Sequence, residues 1–266
     1  LLLRKALEYS RLFDVPIIDH CEDAALVAGG VVHEGDVSTR MGLRGWPGVA
    51  EDVAVQRDVL LAEYTGGRLH VAHLSTARSA DAVRRAKRAG IRVTAEATPH
   101  HLTLTDEAVS GFDTNAKMNP PLRPESDRRA LLKAVQDGTV DAIVTDHAPH
   151  HADEKNVEFS RAPFGIVGLE TAVSVCLDRL VHGGAIGLPR LVEMFTSGPA
   201  RILGLPKGTL APGADADVTV LDPNRRVTVD PARFRAKSAN TPFAGWSLRG
   251  AAVMTLVSGR IVHDGR

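Results

Sequence analysis

The chain has only two cysteines, Cys21 and Cys176, far apart among 266 residues. That scarcity excludes a disulfide framework and points to a reducing compartment, so a cytoplasmic location is expected. Excess charge of either sign is also missing, because Lys plus Arg and Asp plus Glu both total 32. Nothing favours a nucleic acid or an anionic membrane as partner, and a small-molecule substrate is expected instead. No apolar run approaches the roughly 18 residues of a membrane span, and no charged-then-apolar secretion signal opens the chain. Low-complexity tracts, short-period repeats and charge runs are absent too. What remains is a globular composition, 44% hydrophobic and 24% charged, in a chain long enough for one large core with a small appendage.

Apolar spacing alternates between two periods. Leu3, Ala6 and Leu7 mark an amphipathic helix that feeds the run "VPIIDH", which ends at His20. "EDVAVQRDVLLAEYTGG" predicts a helix closed by a glycine pair, followed by the strand "RLHVAHLS" with His73 at its end. "ARSADAVRRAKRAG" and "IRVTAEATPHH" repeat the unit, and "DRRALLKAVQDG" leads into "VDAIVTDHAPH". Two further helices are expected in "GLETAVSVCLDRLVHGG" and "LPRLVEMFTSGPARILGL". Short Val/Ile-rich strands alternating with helices predict an α/β fold whose parallel strands are covered on both faces. From Lys207 the pattern changes to short alternating strands between Gly, Pro and Asn turns. The expected division is an α/β portion over residues 1–206 and a small β-rich domain over 207–266. The longest polar loop, "HHADEKNVEFSRAPFG", has the length of a functional lid.

Each predicted strand ends in groups that bind metals or move protons. The first ends at His20, the second at His73, the third at Glu96 with His100 and His101 beyond, and the fourth at Asp146 with His147 and His150. In a parallel sheet or barrel these ends lie on one face, so residues distant in sequence converge there. Taken singly, each has a structural reading: a loop histidine satisfied by neighbours, an aspartate that caps or turns, a Glu96 bonded to adjacent loops. Cys21 reads as a small buried neighbour of His20. His33, His70, His182 and His263 fall in helix-end, strand-start or appendage contexts. Taken jointly, imidazole and carboxylate on one rim are the donors of a divalent metal with open positions, Zn²⁺ being the commonest fit. A metal-activated water is then the natural nucleophile, and an aspartate its proton carrier.

The blocks "DHCEDAAL", "GWPGVAED", "HVAHLST", "EATPHHLTL", "KMNPPLR", "TDHAPHHADEK", "APFGIVGLET" and "SANTPF" run in order along the whole chain. Together they resemble the long-chain bacterial dihydroorotases of the amidohydrolase superfamily. "TDHAP" alone fits several cyclic-amide hydrolases, whereas "PHHL" with "NPPLR" and His150 pulls towards dihydroorotase. The resemblance implies a (β/α)8 TIM barrel with a small β domain and two Zn²⁺, a hydrolase that interconverts N-carbamoyl-L-aspartate and L-dihydroorotate in pyrimidine biosynthesis. It implies that His20 and His73 bind one zinc, and that Asp146 binds the other and serves as general acid and base. Asn119, His150, Phe164 and Gly165 are the implied substrate contacts, with the "HHADEK" loop folding over the ligand.

The family pattern also contains a His-x-His pair, an arginine just after it, an Asn-containing loop and a carboxylate or carboxylated lysine that bridges the metals. This chain has none of these. It is therefore expected to be the C-terminal half of a barrel, strands 5–8, from a longer polypeptide whose complete form is the active one. A homodimer is expected, and aspartate transcarbamoylase is a partner the resemblance implies. Two rivals stand beside this reading: another cyclic-amide hydrolase such as a hydantoinase or allantoinase, and an inactive scaffold that pairs with aspartate transcarbamoylase.

Overall fold

The computed structural model describes residues 1–265. Four short strands, β1 (Pro16–Asp19), β4 (Arg68–Val71), β5 (Val93–Ala97) and β6 (Ala142–Ile143), form a parallel sheet in the order β1-β4-β5-β6. Pro16 pairs with Arg68, Leu69 with Val93 and Glu96 with Ala142, so chain order and spatial order agree. The helices Val49–Thr65, Ala77–Arg88 and Glu125–Gln136 link these strands and cover one layer of the fold. Each link is a strand, a crossover helix and a parallel strand, the unit the alternating apolar periods predict.

Local chemistry sets the ends of these helices. Glu51 and Asp52 sit in the first turn of Val49–Thr65, favourable at the positive end of the helix dipole, and Gly66 closes it at φ +68°. The Thr76 side chain caps Ala77–Arg88 by accepting from the Ser79 amide, and Arg85, Lys87 and Arg88 occupy its last turn. Leu69, Val71, Val93, Ala95 and Ala97 are buried against Ala54, Val55, Ala80, Val83, Leu131 and Val135. At about 1.5–3 kcal/mol for each large apolar side chain, this burial outweighs helix propensity in holding the layer together.

Two expectations change. The stretch "LPRLVEMFTSGPARILGL" is two helices, Leu188–Phe195 and Ser197–Leu203, divided at Thr196. Pro199 lies in the first turn of the second helix, where its missing N–H is tolerated; inside one continuous helix it would remove a hydrogen bond and clash. In "GLETAVSVCLDRLVHGG" the helix Ala172–Cys176 widens into a π-helical segment, Leu177–His182. The structure also adds a parallel pair, β2 (Val32–His33) and β3 (Gly45–Trp46).

Towards the C-terminus, β7 (Val218–Thr228), β8 (Ser247–Val257) and β9 (Arg260–Asp264) form an antiparallel sheet in the order β7-β8-β9. Val229, Phe243 and Leu248 pack into a second core with Val32, Met118, Leu122, Phe159, Ile166 and Val175. That core lies under the long loop after Asp146 and ties it to the C-terminal segment. No helix among the described residues is long and apolar enough to cross a membrane.

Candidate metal and substrate site

The C-terminal ends of β1 and β4 bring His20 and His73 together. His20 Nδ1 lies 2.9 Å from His73 Nε2, and the rings meet edge to face. The other nitrogen of His20, Nε2, donates to Glu22 Oε2 at 2.9 Å, which leaves Nδ1 as the atom that faces His73. A histidine held by a carboxylate in this way is oriented as metal-ligating histidines are. Burial pushes the His73 pKa down and the neighbouring His20 adds to this, while Asp146 and Glu51 oppose it. The result is the neutral ring that ligation needs.

His73 and Asp146 both adopt left-handed backbone, at φ +29° and +47°. Such conformations cost free energy in non-glycine residues and cluster where a side chain must be aimed. Here they occur two residues beyond the end of β4 and three beyond the end of β6, the strands that flank β5.

These residues fit a divalent cation. Two zinc–nitrogen bonds of about 2.0–2.1 Å in a tetrahedron place the nitrogens roughly 3.3 Å apart, close to the His20–His73 separation. His73 Nδ1 is buried with no hydrogen-bond partner, as is Nε2 of the fully buried His100, so imidazole capacity is in reserve around the rim.

The other predicted residues form a second group. Asn119 Nδ2 donates to Glu22 Oε2 at 3.1 Å, which links it to His20, while its Oδ1 is buried and unpartnered and so open to a donor on a ligand. His150 Nε2 donates to the Phe164 carbonyl at 2.8 Å. The Phe164 ring packs edge on against Trp46 with centroids 5.7 Å apart. Gly165 has φ +119°, and a Cβ there would lie 2.5 Å from the Ala148 Cβ, so the turn beside His150 requires glycine. His147 Nδ1 accepts from the Gly168 amide at 3.1 Å, which pins the start of the loop.

Several candidates have structural partners. His101 is buried between Thr98 Oγ1 at 2.8 Å and the Pro120 carbonyl at 3.0 Å. Glu96 accepts from His70 Nε2 at 3.0 Å. His33 accepts from Arg123 Nη1 at 3.1 Å, and His182 donates to the Pro223 carbonyl. Behind the rim, buried Glu51 accepts from the amides of Ser75 and Thr76 and from the Ser75 hydroxyl, fixing the segment that follows His73. Burial opposes its charge, but Arg123 and these donors hold Glu51 below its usual range.

Sequence reasoning missed Glu22, whose one sign is a carboxylate two residues after a strand-end histidine. It also missed the grouping of Asp19, Cys21 and Asp58, whose ligand atoms lie within 4.8 Å of one another. These are ligand types that could hold a metal ion. The Cys21 thiol donates to Asp58 Oδ2 at 3.2 Å and is pushed strongly up by burial and Asp58, and burial beside Asp58 raises Asp19 to about 6. Shared protons thus hold the cluster together.

Residues 3–262 match the model of the amidohydrolase family. The dihydroorotase of Pelotomaculum thermopropionicum is 55% identical over 265 residues, covering 100% of this chain and 62% of that protein. The dihydroorotase of Anaeromyxobacter dehalogenans is 59% identical over 265 residues, covering 99% of this chain and 61% of that protein. Among solved structures, the L-hydantoinase (dihydropyrimidinase) of Arthrobacter aurescens superposes with a TM-score of 0.90 at 29% identity, over 99% of this chain and 60% of that one. The dihydropyrimidinase of Brevibacillus agri, at 23% identity and a TM-score of 0.88, shares the barrel-type fold. The chain thus spans about three fifths of the length of these relatives.

Proposed function

The chain belongs to the amidohydrolase family, and on that premise we propose that the polypeptide it represents is a dihydroorotase. The observation that carries this reading is identity of 55% and 59% to dihydroorotases along essentially the whole chain, against 29% to the hydantoinase of nearly identical backbone. We read the four parallel strands as strands 5–8 of the barrel, residues 1–206 as its barrel portion and 207–266 as the β-rich domain. The substrate is then a small cyclic amide, L-dihydroorotate, formed reversibly from N-carbamoyl-L-aspartate. A homodimer, or pairing with aspartate transcarbamoylase, is the accompanying proposal for assembly.

In this reading His20 and His73 hold one Zn²⁺ and Asp146 contributes to a second. When bound, the metals supply Lewis acidity and lower the pKa of water. The work of the chain's own residues follows from their geometry. Glu22 fixes His20 and hydrogen-bonds Asn119, so rim and substrate pocket share one carboxylate. Asn119 Oδ1 accepts from a ring N–H of the substrate. His150 faces its carboxylate from the loop side, and the Trp46–Phe164 pair excludes water. The Asp146 carboxylate takes a proton from the attacking water and delivers it to the ring nitrogen as the amide bond breaks.

The test is turnover by the whole polypeptide of dihydroorotate, hydantoin, dihydrouracil and allantoin. Dihydroorotate is expected to have the highest kcat/KM by at least about 100-fold. Preference for hydantoin or allantoin would transfer the assignment to that hydrolase, and no turnover of any would favour the scaffold role.

A further inference from the structure

Three sequence blocks that the proposed chemistry leaves partly unused, "KMNPPLR", "HHADEK" and "SANTPF", each send one buried polar side chain to the same stretch of backbone. Lys117 Nζ donates to the carbonyls of Phe159, Ser160 and Ala162 at 2.8, 3.1 and 2.7 Å. Lys155 Nζ donates to Pro163 and Gly165 at 2.9 and 3.0 Å. Asn240 Nδ2 donates to Ala148 and Gly165, both at 3.1 Å, and its Oδ1 accepts from the His150 amide at 3.2 Å. His150 itself donates to Phe164. Of the seven carbonyls from Phe159 to Gly165, six receive a side-chain donor: Phe159, Ser160, Ala162, Pro163, Phe164 and Gly165.

We propose that Lys117, Lys155 and Asn240 form a positioning clamp that seats the Phe164–Gly165 turn against His150 and thereby sets substrate affinity. The inference rests on the reading of His150, Phe164 and Gly165 as substrate contacts. It goes beyond that reading because the side-chain hydrogen bonds of all three clamp residues go to loop backbone, which makes them positioning residues rather than substrate contacts.

Two observations separate a clamp from ordinary packing. First, both lysines are buried, at 2% and 5% exposure, and every hydrogen bond of their ammonium groups goes to a carbonyl of residues 159–165. Burial lowers Lys117 to about 8, and burial with the neighbouring Lys117 lowers Lys155 to about 8, with Asp113 opposing through space. A buried ammonium is costly, and an apolar side chain would fill the same volume at less cost. What the ammonium adds is three donors from one point, which suits an irregular segment whose carbonyls have no ladder partner.

Second, the contacts register the loop rather than merely cover it. The Gly165 amide donates to the Lys117 carbonyl at 2.9 Å, the Val167 amide donates to the Asn240 carbonyl at 2.9 Å, and Lys117 Nζ lies 4.7 Å from the centre of the Phe164 ring. Residues on both sides of the turn are thus tied to the lysine strap and to the "SANTPF" segment. With the Ala148 Cβ blocking one side of Gly165, a slip of the turn moves the Phe164 carbonyl off His150. His20 and His73 share no hydrogen bond with this network, so the metal rim is left in place.

The experiment uses the whole polypeptide and the variants Lys155→Met, Lys117→Met and Asn240→Ala, with Lys155→Arg as the conservative control. Hydrogen exchange of the amides from 159 to 168, steady-state kinetics with dihydroorotate and zinc content are measured on each. The clamp predicts exchange at Gly165 faster by about tenfold or more, KM raised about tenfold, kcat within about twofold and zinc unchanged, with partial recovery of KM in Lys155→Arg. Asn240→Ala removes no charge and keeps the comparison available if a lysine variant does not fold. Unchanged exchange in the folded variants would overturn the clamp. Faster exchange with unchanged KM would overturn its role in affinity. A parallel fall of kcat and zinc would replace it with general structural support. If the unaltered protein does not turn over dihydroorotate, the functional reading fails, and the exchange data still decide whether the clamp exists.

Discussion

The rim at the ends of β1 and β4 and the loop that carries Phe164 and Gly165 lie on the same face of the fold but are built in opposite ways. His20 and His73 are placed by backbone: each follows a paired strand by one or two residues, and the parallel register of Pro16 with Arg68 brings them together. The loop is placed by side chains, with Lys117, Lys155 and Asn240 reaching its carbonyls from 42, 10 and 75 residues away. Under the proposed function, the metal side of the site rests on a ladder and the substrate side on point contacts, an arrangement that separates chemistry from affinity. Damage to the first should abolish turnover, and damage to the second should weaken binding.

The largest expected effect lies at the rim. Asp146→Ala in the whole polypeptide should lower kcat by about 1,000-fold or more while the melting temperature changes little, because the residue sits on a strained, partly exposed turn. Stopped assays beside a thermal melt decide this, and near-normal kcat would remove Asp146 from its role. Next comes Gly165→Ala, which forces a Cβ into Ala148 at a backbone conformation that L-residues rarely adopt. A stability loss of about 1–3 kcal/mol in urea unfolding is expected, with KM raised more than kcat is lowered. Equal losses in both parameters would erase the division between rim and loop.

The smallest effect concerns acid stability at His33, which belongs to neither region. Burial, with Arg123 adding to it, lowers His33 to about 4 from an ordinary 6.5. Between those values the unfolded chain binds a proton that the folded chain refuses, so this contribution to stability is intact above 6.5 and is lost as pH falls towards 4. His33→Gln should therefore flatten the decline in unfolding free energy over that window. Buried His101, also near 4, contributes the same way in both proteins and cancels from the difference. An unchanged slope would show that His33 titrates normally.

The same division explains how much could be read in advance. β1, β4 and β5, their parallel order and the meeting of His20 with His73 follow from hydrophobic periods that persist over whole elements, and the two-residue β6 is legible because it sits inside the longer, mostly apolar run from Val140 to Val144. β2 and β3 are two residues each, too short for any period to register, and Thr196 breaks a helical pattern through backbone geometry. Glu22 and the lysine clamp act through distances that depend on the finished fold. Lys117 and Lys155 sit in blocks that resemble those of dihydroorotases, yet nothing local distinguishes a lysine that straps a loop from one in solvent. Cys21 was legible as buried, whereas its grouping with Asp19 and Asp58 needed the helix Val49–Thr65 to be in place.

The central claim is that the backbone-placed rim holds the metal. Its most direct test is the zinc content of the whole polypeptide beside that of its His73→Ala variant, both freed of loosely bound metal by gel filtration. The account predicts about two zincs per chain in the unaltered protein and loss of at least one in the variant, with the fold retained by circular dichroism. Equal zinc in the two would contradict it and would move the metal away from the His20–His73 pair.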